Sequence, residues 1–284
     1  MNDLYGLDPT APSKVKDLKV LADLFGFAHG RFIASYPVDW ANLLRCNLVD
    51  LSDTDKLKLT IVLKRLADNT IPVAEPYMVS KDWLVNATAL QLKKNKFTKI
   101  ISKDEDQKDH LSLEQFLYEV DLPDARGDHI SADISSYKKI VTPLLLVSTE
   151  IHIQDMYFYF WESNRKLFRQ YEVLRMLISL ASASDRCERM VLHLNEEKFL
   201  TDELESRLQE DLLQALKECG RSNLDITYTF EERRITHGRY IFSIKGGLQF
   251  DHGFDTDGRD SNKKNHVHWL SHSELKPLWG RYGI

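Results

Sequence analysis

A chain of 284 residues has room for one large domain or two ordinary ones, and two is the expectation. Thirty-eight Lys and Arg against 43 Asp and Glu leave a net charge of −5, which excludes a histone-like nucleic-acid binder or a basic membrane-surface protein, so any phosphate contact must be local. Hydrophobic residues at 43% and aromatic residues at 10% support a dense core and exclude wholesale disorder. Cys46, Cys187 and Cys219 form no C-x-x-C pair and leave an odd thiol, which fits a reducing cytoplasm. The first 14 residues lack the basic and apolar regions of a signal peptide, and no run approaches the roughly 18 apolar residues of a membrane span. A cytoplasmic protein without a transmembrane segment is expected.

Between Ser13 and Phe27, Val15, Leu18, Val20, Leu21 and Leu24 fall at helical spacing behind Ser13 as a candidate cap. FGFAHGRFIASYP reads as a turn, a short extended piece and a second turn, followed by a helix from about Asp39 that carries Trp40, Leu43, Leu44 and Leu48 inward. Ser52, three residues before Asp55, opens another helix with Leu59, Ile61 and Leu66 on its apolar face. IPVAEPYM and FTKII read as strands, the first held near a sheet edge by its prolines. The charge run at 103–110 reads as a solvated loop, and LSLEQFLYEV as a helix. The stretch 123–139 is rich in Asp, Ser, Gly and Pro and reads as a linker between a domain over 1–125 and a second over 140–284.

Beyond the boundary, PLLLVSTEIHIQ reads as a β-rich run, NRKLFRQYEVLRMLISLAS as a helix, RMVLHLN as a strand and TDELESRLQEDLLQALKECG as a helix capped by Thr201. LDITYTFEE, HGRYIFSI and GLQFDHGF follow as strands. Strand, helix, strand, helix, strand implies α/β architecture with a mainly parallel sheet flanked by helices, and the first domain reads as mainly helical α+β.

The overall acidity is unevenly placed. Residues 231–284 hold nine Lys and Arg against seven Asp and Glu, together with five of the ten histidines. Within them, alternation along a strand sets His237, Arg239, Ile241 and Ser243 on one face. A guanidinium beside an imidazole suits a phosphate, the first neutralising its oxygens and the second able to attack phosphorus or move a proton. The plainer alternative is a His and an Arg making surface hydrogen bonds.

HGRYIFSIKGGLQFDHGFD resembles the C-terminal phospholipase D-like domain of the MIT-domain-containing protein family, in its His-x-Arg, its apolar residue two later, its glycine and its closing Gly-Phe-Asp. His237, Arg239, Ile241, Gly246, Gly247, Gly253, Phe254 and Asp255 occupy those places. Upstream, EIHIQDMYF resembles the strand and turn that open a phospholipase D-like half, with Glu150, Ile151, Ile153, Asp155 and Tyr157 matching and Met156 where a proline is common. The resemblance covers about residues 140–284 and implies a phospholipase D-like half there. Active relatives carry His-x-Lys followed, after four intervening residues, by Asp. Here those places hold Arg239 and Ile244, and only one such motif is present. An isoleucine cannot orient an imidazole.

The resemblance therefore implies a degenerate member. It is expected to bind an anionic, phosphate-bearing ligand, either nucleic acid or a phospholipid head group, through Arg239 with His237, Ser243, Arg233, Arg234, Asp155 and Asp255 nearby. No cofactor is expected, and residues 1–125 are expected to contact a protein partner. One alternative is a homodimeric phosphodiesterase or nuclease using His237 as nucleophile, as expected of solitary phospholipase D-like domains in bacterial antiviral defence; another is an assembly scaffold. His266, His268 and His272 are weak candidates for a metal site, since no Cys or known spacing accompanies them. The run Tyr157, Phe158, Tyr159, Phe160, Trp161 could stack bases or could be core.

Overall fold

A computed structural model describes residues 3–48, 51–103, 109–118, 127–162, 165–166, 168–184, 186–199, 201–220, 223–254, 256 and 264–284. The chain divides into two compact units, Met1–Ala125 and Arg126–Ile284.

The first unit runs β1 (Asp3–Leu7), α1 (Val15–Leu24), β2 (Arg31–Ser35), α2 (Trp40–Cys46), α3 (Asp53–Ala67), β3 (Thr70–Pro72), α4 (Trp83–Lys94), β4 (Lys99–Ser102), β5 (His110–Ser112) and α5 (Leu113–Tyr118). Its five strands lie in the order β3-β2-β1-β4-β5, every pairing parallel. Helices still hold more residues than strands, but they accompany one parallel sheet, which corrects the α+β expectation for this unit to α/β. The strands are three to five residues long, and DLYGL and HLS offer too few residues for a period of two to emerge. Parallel strands covered on both faces need no alternation either: Phe32, Ile33 and Ala34 are consecutive and all buried. The core between sheet and helices holds Leu7, Ile100, Ile101, Leu18, Leu21 and Trp40. The Trp40 indole donates to Leu7 O at 2.7 Å, so burying this large ring leaves no orphaned N–H. Ser52 caps α3 by accepting from Asp55 N at 3.2 Å. The cap position of α1 is Lys14 rather than Ser13, and its backbone N–H donates to the Asp17 carboxylate.

The second unit runs β6 (Asp128–Ser131), α6 (Ile134–Val147), β7 (Glu150–Gln154), the hairpin β8 (Trp161–Glu162) and β9 (Arg165–Lys166), α7 (Phe168–Ala183), β10 (Arg189–Asn195), α8 (Asp202–Glu218), β11 (Asp225–Glu231), α9 (Arg233–Thr236), β12 (Tyr240–Ser243), β13 (Gly246–Phe250), β14 (Lys264–Trp269) and α10 (His272–Tyr282). Residues 128–139, expected as linker, form β6 and the start of α6, with Asp133 capping the helix by accepting from Ser136 N at 2.8 Å. PLLLV lies in α6, leaving only Glu150–Gln154 as strand. Seven strands order as β11-β10-β7-β12-β13-β14-β6. The β7–β10–β11 portion is parallel, as the alternation of strands and helices implies, but β12, β13, β14 and β6 pair antiparallel. The sheet is therefore mixed rather than mainly parallel; between β12 and β13 the two-residue turn at 244–245 leaves no room for a crossover helix, so that pair must run antiparallel.

The pleat gives β7 two different faces. Ile151 and Ile153 enter an apolar layer, whereas His152 and Gln154 point to the other side, where Phe242, Leu270, Leu275 and Leu278 form a separate buried cluster with α10. Strand β12 is registered with Ile241 opposite Ile153 and Phe242 opposite His152.

Candidate functional site

The carboxyl end of β7 and the amino end of β12 meet at one end of the strands, in the middle of the sheet. Parity carries Asp155 onto the Ile153 side of β7 and Arg239 onto the Ile241 side of β12, so the pairing that aligns the two isoleucines also brings this carboxylate and guanidinium together. Arg239 Nε lies 3.9 Å from Asp155 Oδ1. Around them is a cleft of about 340 Å³ lined by Asp155, Tyr157, Tyr159, Arg239, His252 and Gly253, with Gln170 and Phe254 completing the wall.

Asp155 is built in rather than displayed. It is 1% exposed, Oδ1 accepts from Tyr157 N at 2.8 Å and Oδ2 from Phe254 N at 3.0 Å. The carboxylate thus ties the 251–254 loop to the end of β7. Asn265, fully buried on β14, holds the same loop: its amide donates to Gly253 O at 3.0 Å and its oxygen accepts from His252 N at 3.1 Å. Arg239 remains 21% exposed at the cleft wall. Its Nη1 donates to Asp251 O, its guanidinium lies 5.2 Å from the Tyr157 ring centroid, and its Nε is buried without a hydrogen-bond acceptor among the described residues.

Gly253 separates carboxylate from arginine. Its φ is +75°, and a Cβ there would stand 2.8 Å from Asp155 Oδ2 and 3.2 Å from Arg239 Cδ. Gly253→Ala is therefore expected to cost about 1–3 kcal/mol from backbone strain alone. It should also lower affinity for any ligand held by Arg239, and urea unfolding followed by ligand titration checks both effects.

His237 is placed differently from the expectation. The strand begins at Tyr240, and Arg233–Thr236 form a single helical turn that ends at His237 (φ −59°, ψ −34°). Alternation therefore holds for Ile241 and Ser243 but does not reach His237. The cause is nonlocal: the fully buried Gln154 amide donates to Ile235 O at 2.9 Å and Gly238 O at 3.1 Å, folding this segment back over the end of β7. His237 is exposed, is absent from the cleft lining, and has no hydrogen bond or ion pair with another described residue. Arg233 and Arg234 are exposed on α9, and Arg234 pairs with Glu232. Ser243 is 1% exposed at the far end of β12, bonded to Ser148 Oγ at 2.8 Å, and cannot reach the cleft. Asp255 lies outside the described residues.

The candidate metal histidines do not converge. His266 faces Asp251 at 3.6 Å, His268 faces Glu274 at 3.3 Å, and the His272 ring stacks edge-on with Trp279. Among the described residues no group of three His, Cys, Asp or Glu could hold a metal. The aromatic run divides: Phe158 and Phe160 are core, Tyr157 and Tyr159 line the cleft, and the Trp161 indole donates to Asp211 at 2.7 Å.

Sequence reasoning missed a buried polar chain behind the cleft. His152 Nδ1 and His193 Nε2 are 2.9 Å apart, His152 Nε2 is 2.7 Å from Glu150 Oε1, and His193 Nδ1 is 2.8 Å from Thr229 Oγ1. Tyr282 stacks on His193 at 3.7 Å between ring centroids and donates its hydroxyl to Gln154 Oε1 at 2.8 Å. Burial holds the His193 pKa down at about 3, with the neighbouring His152 and Arg281 adding smaller pushes, and burial also lowers that of His152 against the opposing pull of Glu150. The available signal was a histidine inside each of two apolar strands, EIHIQ and RMVLHLN.

No protein-family model matches the chain, and no curated protein matches it either. Among the described residues no helix is long and apolar enough to cross a membrane.

Proposed function

We propose that the second unit binds an anionic, phosphate-bearing ligand in the cleft between the ends of β7 and β12, with Arg239 as its principal charge. The observation that carries this reading is the state of Arg239. Its stem is fixed against Gly253 and its guanidinium is oriented by Asp155, Asp251 O and Tyr157, yet it keeps access to a recessed space. A planar cation held in one orientation loses less freedom on meeting phosphate oxygens than a solvated surface lysine would. His252, also on the wall, adds a neutral donor or a second charge.

Binding is favoured over hydrolysis by the surroundings of His237. A nucleophilic imidazole needs an orienting partner, and the position at which the resembled enzymes place it is Ile244, 53% exposed beyond the opposite end of β12. The proposal thus keeps the likeness to phospholipase D-like domains as a likeness of binding surface rather than of chemistry.

Titration with inorganic pyrophosphate at low and moderate salt tests the reading. The wild-type chain should bind with an affinity that falls as salt rises, and Arg239→Ala should weaken binding about tenfold or more, as expected when a charge-assisted hydrogen bond is lost. Equal affinities of the two proteins would refute it.

A further inference from the structure

We propose that the ligand of this cleft is a single-stranded nucleic acid, one phosphate resting on Arg239 and an adjacent unstacked base on Tyr157. The inference rests on the phosphate-binding reading above and adds the class of ligand. It starts from the aromatic run, in which two of the five rings line the cleft. Phe158 and Phe160 bury completely, whereas Tyr157 is 44% exposed at the mouth of the cleft and Tyr159 lines its wall. Each of these tyrosines has a cation over its ring, Arg239 at 5.2 Å from the centroid of Tyr157 and Lys198 at 4.7 Å from that of Tyr159. The mouth therefore sets planar π surfaces beside positive charge, the pairing that holds bases and phosphates of a single strand without reading sequence.

The remaining wall fits the same ligand. Gln170 and His252 supply hydrogen-bonding groups suited to a base edge or a sugar hydroxyl. A space of about 340 Å³ lies at the lower end of the roughly 300–1,000 Å³ of small-ligand sites, enough for one nucleotide unit and too narrow for a duplex. A bilayer is the poorer occupant. Membrane-docking faces present several adjacent apolar side chains beside their cations. Among the described residues of the second unit, Tyr157 is the one exposed large hydrophobic at the cleft, while Leu213 lies on α8 and Ile244 on the turn beyond the opposite end of β12.

The test compares four probes by equilibrium binding to the full chain: fluorescently labelled oligo(dT), the same strand with abasic sites, inorganic pyrophosphate, and phosphatidylcholine vesicles containing phosphatidylserine. Oligo(dT) should bind the wild type more tightly than the abasic strand. Tyr157→Ala should weaken oligo(dT) about fivefold or more, the lower end of the effect of losing one base stack. It should weaken pyrophosphate binding less than oligo(dT) binding, because there only the orientation of Arg239 is lost and no base stack, and Tyr157→Phe, which keeps the ring beside the guanidinium, should restore the wild-type affinity for both. If oligo(dT) and the abasic strand bind alike and Tyr157→Ala changes neither, the base contact is refuted while phosphate binding stands. Preferential binding to vesicles overturns it in favour of a lipid head group, and failure of the wild type to bind any probe removes the underlying reading as well.

Discussion

Asp155→Ala is expected to destabilise the second unit by about 3–5 kcal/mol, the cost typical of breaking a buried ion pair by removing one partner. The carboxylate, itself 1% exposed, satisfies the N–H groups of Tyr157 and Phe254 and faces the Arg239 guanidinium. Alanine would orphan two backbone donors, and each unsatisfied donor carries its own desolvation penalty of about 1–3 kcal/mol. A loss of that size is a large share of the roughly 5–15 kcal/mol that holds an ordinary domain together. Asp155→Asn keeps the volume and one oxygen acceptor while deleting the charge, so it should cost less than alanine. Chemical denaturation of both variants checks the order. A loss below about 1 kcal/mol for alanine would mean that the 251–254 loop is held by Asn265 alone and that the cleft does not depend on the carboxylate.

Acid should weaken the second unit well before its carboxylates are protonated. His193 has a pKa of about 3 in the fold, against 6.5 for an ordinary imidazole, so the folded chain binds fewer protons than the unfolded chain between these limits. Its contribution is complete above pH 6.5 and is lost as pH falls toward 3, at about 1.4 kcal/mol per unit, or about 2 kcal/mol by pH 5. His152, lowered in the same direction, adds to the loss. The groups that would meet a charge on His193 are His152, Thr229, Glu231, Arg281 and the Tyr282 ring. Of these Glu231 is 4.0 Å away, too far and too exposed to offset burial. Urea unfolding at about pH 7.5 and pH 5 measures the difference. His193→Gln retains a donor and an acceptor without titrating, and should show a shallower pH dependence. Equal slopes in the two proteins would rule out a neutral buried histidine as the cause.

What could be seen from the sequence divides along the line between local and nonlocal causes. Helices α7 and α8 and strand β10 were legible because the pattern within each segment suffices, and in α8 Thr201 does cap the first turn by accepting from Leu204 N at 3.3 Å. PLLLV was not, since α6 buries Ile140, Val141, Leu144, Leu145 and Val147 around most of its circumference, and an apolar run without a polar side has no period to read. The β-sheet of the first unit was hidden by the shortness of its strands. At the site, Arg239 and Asp155 could be nominated as chemical types, but their meeting depends on the register of β12 against β7. His237 was misplaced because Gln154, from a distant strand, decides the shape of the turn that carries it. The pairing of His152 with His193 likewise exists only once β7 and β10 are neighbours.

The sheet order of the second unit also sets the timing of its birth. Its first strand, β6, pairs with its last, β14, with His129 opposite His266. β7 lies between β10 and β12, both made later. On the ribosome, β6 has no neighbour until residue 264 has been polymerised, and β7 waits with both edges open while α7 is synthesised. Such long-range pairings fold slowly and leave strand edges available to other chains in the meantime. Slower synthesis would therefore lengthen the interval in which the open edges of β6 and β7 can pair with other chains.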